Sequence, residues 1–163
     1  MKLYLNGWDN NLTFSAAHII PHHNKCGRLH GHTYAVSVEI QGKPDSEGIV
    51  MDFGVIKDVL RKIIKDLDHR LIVPRRSNLL SIGEKDEMHI LITLNSRRYV
   101  VPKDDVVFLD IESSTAENLS LYLLKKLKES LPPANNIVKL SLCLDEGVGQ
   151  GVWSSILLKD SLR

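Results

Sequence analysis

In the run His30-Gly31-His32-Thr33-Tyr34-Ala35-Val36-Ser37-Val38-Glu39-Ile40-Gln41, Tyr34, Val36, Val38 and Ile40 alternate with Ala35, Ser37, Glu39 and Gln41. Successive side chains of a strand point to opposite faces, so this period of two predicts a half-buried β-strand. Gly42, Pro44, Asp45 and Gly48 supply a turn behind it, and Ile49 to Met51 is expected to return as its hairpin partner. Upstream, Leu12 to Ile20 reads as another strand. Downstream, Asp52 is placed as the N-cap of a helix with Val55, Ile56, Val59, Leu60, Ile63, Ile64 and Leu67 on one apolar face, ending near Asp68-His69. Arg70 to Ser113 is the least regular stretch. There, Ile90 to Leu94 and Arg98 to Val101 predict a hairpin around Asn95-Ser96, and Val106 to Ile111 a further strand. Ser114-Thr115-Ala116-Glu117 has the form of a capping box, with the Ser114 hydroxyl and Glu117 carboxylate satisfying reciprocal amides. The helix that follows aligns Leu119, Leu123, Leu127 and Leu131 and stops at Pro132-Pro133. Val138, Leu140, Leu142 and Leu144 alternate again, as does Trp153 to Leu158. Hairpins separated by helices indicate an antiparallel α+β domain, not a βαβ nucleotide fold.

The chain has 163 residues without repeat or linker, and reads as one domain over 1–163 with an insertion at about 72–111. Lys plus Arg number 21 against 20 Asp plus Glu, a net +1, which removes the broad cationic footprint of a nucleic-acid or polybasic membrane binder. No stretch approaches the roughly 18 apolar residues of a membrane span. The start, Met1-Lys2-Leu3-Tyr4-Leu5-Asn6, turns polar too early for a signal peptide, and two cysteines are too few for a disulfide framework. A cytoplasmic location is expected. Seven histidines are present, five of them before residue 33.

His30 and His32, two apart at the edge of a strand, project from one face and can converge on one metal ion. His18, in the strand-like Phe14-Ser15-Ala16-Ala17-His18, offers a third imidazole. Three neutral imidazoles and an open position describe a catalytic zinc site, while solvated or core histidines are the alternative. Cys26 has three readings: a buried hydrophobe, a fourth ligand closing a structural site, or an unligated thiolate beside the metal that removes a proton. In Asp68-His69, a carboxylate can fix the tautomer of an imidazole for acid–base work, although a histidine at a helix C-terminus also suits the macrodipole. Glu146 stands after an apolar strand and before Gly147-Val148-Gly149-Gln150-Gly151. That glycine-rich run lacks the Lys-Ser/Thr of a P-loop and reads as a tight turn.

Together these pieces resemble the 6-pyruvoyl-tetrahydropterin synthase / 6-carboxytetrahydropterin synthase family. The residues that carry the resemblance are Phe14-Ser15-Ala16-Ala17-His18, His23 to Tyr34 with its Cys-x-x-x-His-Gly-His core, Gly48 to Phe53, Leu67-Asp68-His69, Thr115-Ala116-Glu117-Asn118-Leu119 and Glu146. The resemblance implies a tunnelling (T-) fold, a four-stranded antiparallel sheet with two helices on one face, here with a β-hairpin inserted between the helices. It also implies a homohexamer of two trimers with active sites between subunits. Under it, His18, His30 and His32 hold Zn²⁺, Cys26 is the general base, and His69 oriented by Asp68 is its acid–base partner. Glu146 anchors the pterin of 7,8-dihydroneopterin triphosphate, and Thr115 and Glu117 line the pterin pocket, with the capping role favoured for Glu117.

Two products divide the family. One branch gives 6-pyruvoyltetrahydropterin, and the other releases acetaldehyde and gives 6-carboxytetrahydropterin for the 7-deazaguanine bases of tRNA. The short spacing between Cys26 and His30 resembles the carboxy branch, and the insertion resembles a divergent, archaeal-type member. The competing readings are a related dihydroneopterin-cleaving enzyme and, from another class, a zinc-stapled structural module. Lys25 and Arg28 are local cations for a triphosphate.

Overall fold

The computed structural model describes residues 1–158. Its elements are β1 (Lys2–Leu5), β2 (Thr13–His18), β3 (His30–Gly42), α1 (Phe53–Lys65), β4 (Arg70–Pro74), β5 (Ser81–Glu84), β6 (His89–Leu94), β7 (Arg97–Pro102), β8 (Val106–Leu109), α2 (Ala116–Ser130), β9 (Ile137–Glu146) and β10 (Gly151–Leu157). Seven strands form the main sheet in the order β10-β9-β3-β2-β4-β8, with β1 also paired to β3. Its antiparallel heart, β10-β9-β3-β2, is the four-stranded sheet that the family resemblance implies. The sheet is wider than that expectation because β4 adds parallel to β2, β8 adds parallel to β4, and β1 continues the line of β2 along β3.

One face of the sheet packs against both helices. Phe14, Tyr34, Val36, Val38 and Ile40 meet Ile56, Leu60 and Ile64 of α1 and Leu119, Leu123, Leu124 and Leu127 of α2 in one core. Asp52 caps α1 as expected, its carboxylate accepting the Val55 amide at 3.0 Å. The helix closes at Asp66, slightly before the expected end. α2 ends at Leu131, ahead of the two prolines that cannot continue it.

Three expectations are corrected. Ile49 to Met51 forms no strand: Asp45 organises the turn by accepting the Glu47 and Ile49 amides, and β1, β2 and β9 occupy both sides of β3. Thr115, not Ser114, is the N-cap of α2, accepting from Asn118 N, because the Ser114 hydroxyl is buried and donates to Ile19 O at 2.9 Å. The inserted element is more than a hairpin. β6 and β7 pair around Asn95-Ser96 as read, but β5 joins them in a separate three-stranded sheet, while β8 belongs to the main one. A second core of Ile90 and Ile92 against Leu71, Val73 and Val106 covers the outer face of β4 and β8 with this small sheet. Among the described residues no helix is long and apolar enough to cross a membrane.

Candidate active site

β2 ends and β3 begins with the chemistry. Their antiparallel register sets His18 opposite His30 and Ala16 opposite His32, so the three imidazoles share one face of the sheet. The ligand atoms of His18, His30 and His32 lie within 4.8 Å of one another, an arrangement able to bind a metal ion. Their tautomers follow from the hydrogen bonds. His18 Nδ1 donates to Ser114 O at 2.8 Å and His30 Nδ1 donates to Arg28 O at 2.7 Å, since a carbonyl only accepts. Both Nε2 atoms are then lone-pair bearers in the neutral rings, yet they face each other at 3.1 Å. Two lone pairs at that separation repel unless a cation or proton lies with them, so the donor set fits a metal held by neutral nitrogens. Burial, helped by the neighbouring His30 and His32 and opposed by the Ser114 bond, lowers the His18 pKa to about 4 and keeps the ring neutral.

Beneath the triad lies Tyr34, two residues beyond His32, fully buried and stacked on Phe14 at 4.9 Å between centroids. Its ring stands edge-on to His32 and His18. Burial, and next the charge of Glu146, push its phenol above the ordinary tyrosine range. Glu146 is the register partner of Tyr34 on β9 and so shares the triad's face of the sheet. Its Oε1 is buried and has no hydrogen-bond partner among the described residues. An acceptor of that kind is costly to bury unsatisfied, and it faces a groove that Thr115, Glu117 and Gln150 also line. Among the described residues Glu117 makes no capping bond. With Thr115 as the cap, the third helical position is Asn118, whose amide Nδ2 donates back to Thr115 Oγ1 at 3.2 Å. Gly147 and Gly149 adopt positive φ and Glu146 N donates to Gln150 O, the tight turn expected after Glu146.

Cys26 is half-buried in the loop between β2 and β3. The loop is knotted by short bonds: Ile20 N to Cys26 O, Gly27 N to His23 O, and Cys26 N to His23 Nδ1. Cys26 is not part of the metal-competent cluster, which consists of the three histidines. Asp68 and His69 are indeed coupled, Asp68 Oδ2 lying 3.0 Å from His69 Nδ1. The carboxylate also accepts the Ser15 amide at 2.8 Å, and this bond first, then His69, holds Asp68 below the usual carboxylate range. His69 lies at φ 57° in the left-handed region, its amide donates to Ser15 O, and its ring is 83% exposed. It lines an open groove with His32, Thr33 and Arg70, but no hydrogen bond or ring contact joins it to the triad within the described chain. Sequence reading missed the Ser114 and Arg28 carbonyls, which as backbone acceptors have no signature, and Tyr34, whose place at His32 plus two was the available signal.

A family model described as 6-pyruvoyl tetrahydropterin synthase matches residues 9–149. A Methanocaldococcus jannaschii protein assigned as a 6-carboxy-5,6,7,8-tetrahydropterin synthase is 35% identical, covering 93% of this chain and 94% of its own. The 6-carboxy-5,6,7,8-tetrahydropterin synthase of Rickettsia bellii is 36% identical over 69% of this chain and 72% of its own. Among solved structures, the Plasmodium vivax 6-pyruvoyltetrahydropterin synthase superposes with a TM-score of 0.90 at 29% identity, covering 97% of this chain and 98% of that one. A catalytic-residue mutant of the same Plasmodium protein matches equally well. The fold, the metal-competent histidine triad and these similarities agree that the chain belongs to the 6-pyruvoyl tetrahydropterin synthase family.

Proposed function

We propose that the protein is a zinc-dependent lyase that converts 7,8-dihydroneopterin triphosphate to 6-carboxy-5,6,7,8-tetrahydropterin, with release of acetaldehyde and triphosphate, in 7-deazaguanine base synthesis. The observation that carries this is the pairing of two convergent Nε2 lone pairs, 3.1 Å apart, with an unpartnered Glu146 oxygen on the same sheet face. The first asks for a cation and the second for a hydrogen-bond donor. A pterin with side-chain hydroxyls at one end and a ring N–H beside an amino group at the other satisfies both. The names of the curated relatives support the carboxy product.

His18, His30 and His32 would hold Zn²⁺, which supplies Lewis acidity toward the substrate's side-chain hydroxyls. Ser114 O and Arg28 O orient two of the imidazoles and keep their Nε2 atoms unprotonated. Glu146 accepts from the pterin ring nitrogen and amino group, with Thr115 and Glu117 along the same groove. Cys26 as thiolate removes a proton from the side-chain carbon. His69, oriented by Asp68, returns or takes up the second proton. Because His69 makes no bond to the triad of its own chain, the Asp68-His69 pair serves a neighbouring subunit's metal site in a hexamer of two trimers. The uncovered edges of β8 and β10 are the surfaces through which such rings close. The cytoplasm is the compartment in which this chemistry is placed.

The decisive experiment incubates zinc-loaded protein with 7,8-dihydroneopterin triphosphate and identifies products by mass. 6-Carboxytetrahydropterin with acetaldehyde is expected. 6-Pyruvoyltetrahydropterin would instead establish the second reading, favoured by the structural similarity to the Plasmodium vivax 6-pyruvoyltetrahydropterin synthase. Zinc absorption spectroscopy with three nitrogens and no sulfur is expected. Sulfur in the coordination shell would make the site a closed structural staple and end the enzyme reading.

A further inference from the structure

The inserted sheet does more than cover β4 and β8. Its β6–β7 turn ends in Arg97, which is half-buried and directs Nη1 to the Gly27 carbonyl at 3.4 Å, across 70 residues of sequence. Gly27 directly follows Cys26. It is itself buried, and a Cβ there would stand 2.5 Å from His23 O, so the backbone at this point is tightly enclosed. Inside the loop, Cys26 O and Cys26 N are fastened to Ile20 and His23. Among the described residues, only the Arg97 contact is a side-chain bond holding this loop to the insertion. Among the described residues no carboxylate pairs with Arg97, and the Gly27 carbonyl is the acceptor its guanidinium meets. The turn that presents it is rigidly specified: Asn95 takes the left-handed conformation at φ 54°, and Leu94 pairs with Arg97 across the hairpin. The hairpin root is anchored by Ile90 and Ile92 on Leu71 and Val73 of the main sheet. A continuous chain of contacts therefore runs from β4, through the insertion, to the residue next to Cys26.

We propose that Arg97 is a positioning residue for Cys26, and that the insertion acts as a strut fixing the cysteine loop against the metal site. This rests on the proposed role of Cys26 as proton acceptor, but its structural half does not. A charged donor on a backbone carbonyl is worth more than a neutral one, and a base misplaced by a fraction of an ångström loses rate more than affinity.

The test compares Arg97→Ala, Arg97→Lys and, as a control one residue along the same turn, Arg98→Ala. In the zinc-loaded full chain, Arg97→Ala is expected to lower kcat about tenfold with KM within about twofold, Arg97→Lys to restore most of it, and Arg98→Ala to match wild type. Independently of turnover, amide hydrogen exchange at residues 20–28 and iodoacetamide labelling of Cys26 should both accelerate several-fold in Arg97→Ala, while exchange in β6 stays unchanged. Unchanged exchange and labelling overturn the strut. A rise in KM with kcat intact also overturns it, because Arg97 would then bind substrate directly. If exchange and labelling accelerate but Cys26→Ala leaves turnover intact, the strut stands and the role of Cys26 as base falls.

Discussion

A carboxylate oxygen buried without a donor, as at Glu146, costs the free protein stability that a ligand can return. Glu146→Gln keeps the shape and removes the charge beside Tyr34. It is expected to raise KM for the pterin while leaving kcat within a fewfold, and to stabilise the ligand-free fold by about 1 kcal/mol, read from substrate kinetics and urea melts. A pure kcat loss would show that Glu146 acts on the reacting atoms and not as an anchor. Asp68 makes the opposite case, since its carboxylate is already satisfied by Ser15 N and His69. Its folded pKa is depressed, so the stabilisation is present above the unfolded carboxylate value near about 4 and is lost as pH falls through the lower folded value. The stability difference between wild type and Asp68→Asn should therefore be constant above about pH 5 and shrink in more acidic buffer. A difference that grows on acidification would contradict the Ser15 bond as its source.

Between the residues and the whole lies the β2–β3 ladder, whose spacing sets the triad. Gly31 sits between His30 and His32, and a Cβ there would come within 2.9 Å of Ala16 O, a backbone atom that cannot swing aside. Gly31→Ala is expected to push β2 from β3, costing about 1–3 kcal/mol and at least tenfold in zinc affinity by chelator competition. Unchanged affinity would mean that the imidazoles do not depend on this register. The same ladder explains what could be read in advance. The large apolar residues of β3 and β9 alternate because one face meets the helices, so their period is visible even though Ala35, Ser37, Ser141 and Cys143 on the other face are buried as well, and the two-residue spacing of His30 and His32 inherits it. β4 shows no alternation because Ile72 enters the helical core while Leu71 and Val73 enter the second one, so Arg70 to Pro74 is an apolar run buried on both faces. β1 is four residues long and meaningful only beside the far end of β3. Ser114 and Thr115 are equally good caps in sequence. What separates them is the Ile19 carbonyl, a contact 95 residues away. The histidine triad and the Asp68-His69 pair were thus legible by spacing or resemblance, whereas the Ser114 carbonyl that orients His18 belongs to long-range packing and the local Arg28 carbonyl, a backbone acceptor, leaves no mark in the sequence.

For the molecule as a whole, the metal-competent triad is also a junction. His18 links the end of β2 to Ser114 at the entry of α2, the Ser114 hydroxyl returns to Ile19, and His30 opens β3. A cation on the three rings would therefore join β2 to β3 beside the His18–Ser114 bond to the second half of the chain, and its binding energy must appear as folding energy. At a free zinc concentration one hundred times its dissociation constant, the linkage adds about 2.7 kcal/mol, enough to raise the melting temperature by several degrees. The three histidines differ in what else they do. His32 makes no hydrogen bond among the described residues, whereas His18 holds Ser114 and is wholly buried. His32→Ala should abolish the zinc-dependent rise and leave the melting temperature of the chelator-treated protein near that of treated wild type. His18→Ala should abolish the rise and also lower that baseline, by about 1–3 kcal/mol for the orphaned carbonyl and the vacated core. Scans at one protein concentration keep subunit association from entering the comparison. Equal baselines in the two variants would refute the junction, because His18 would then be a ligand and nothing more. A zinc response that survives in His32→Ala would place the metal elsewhere.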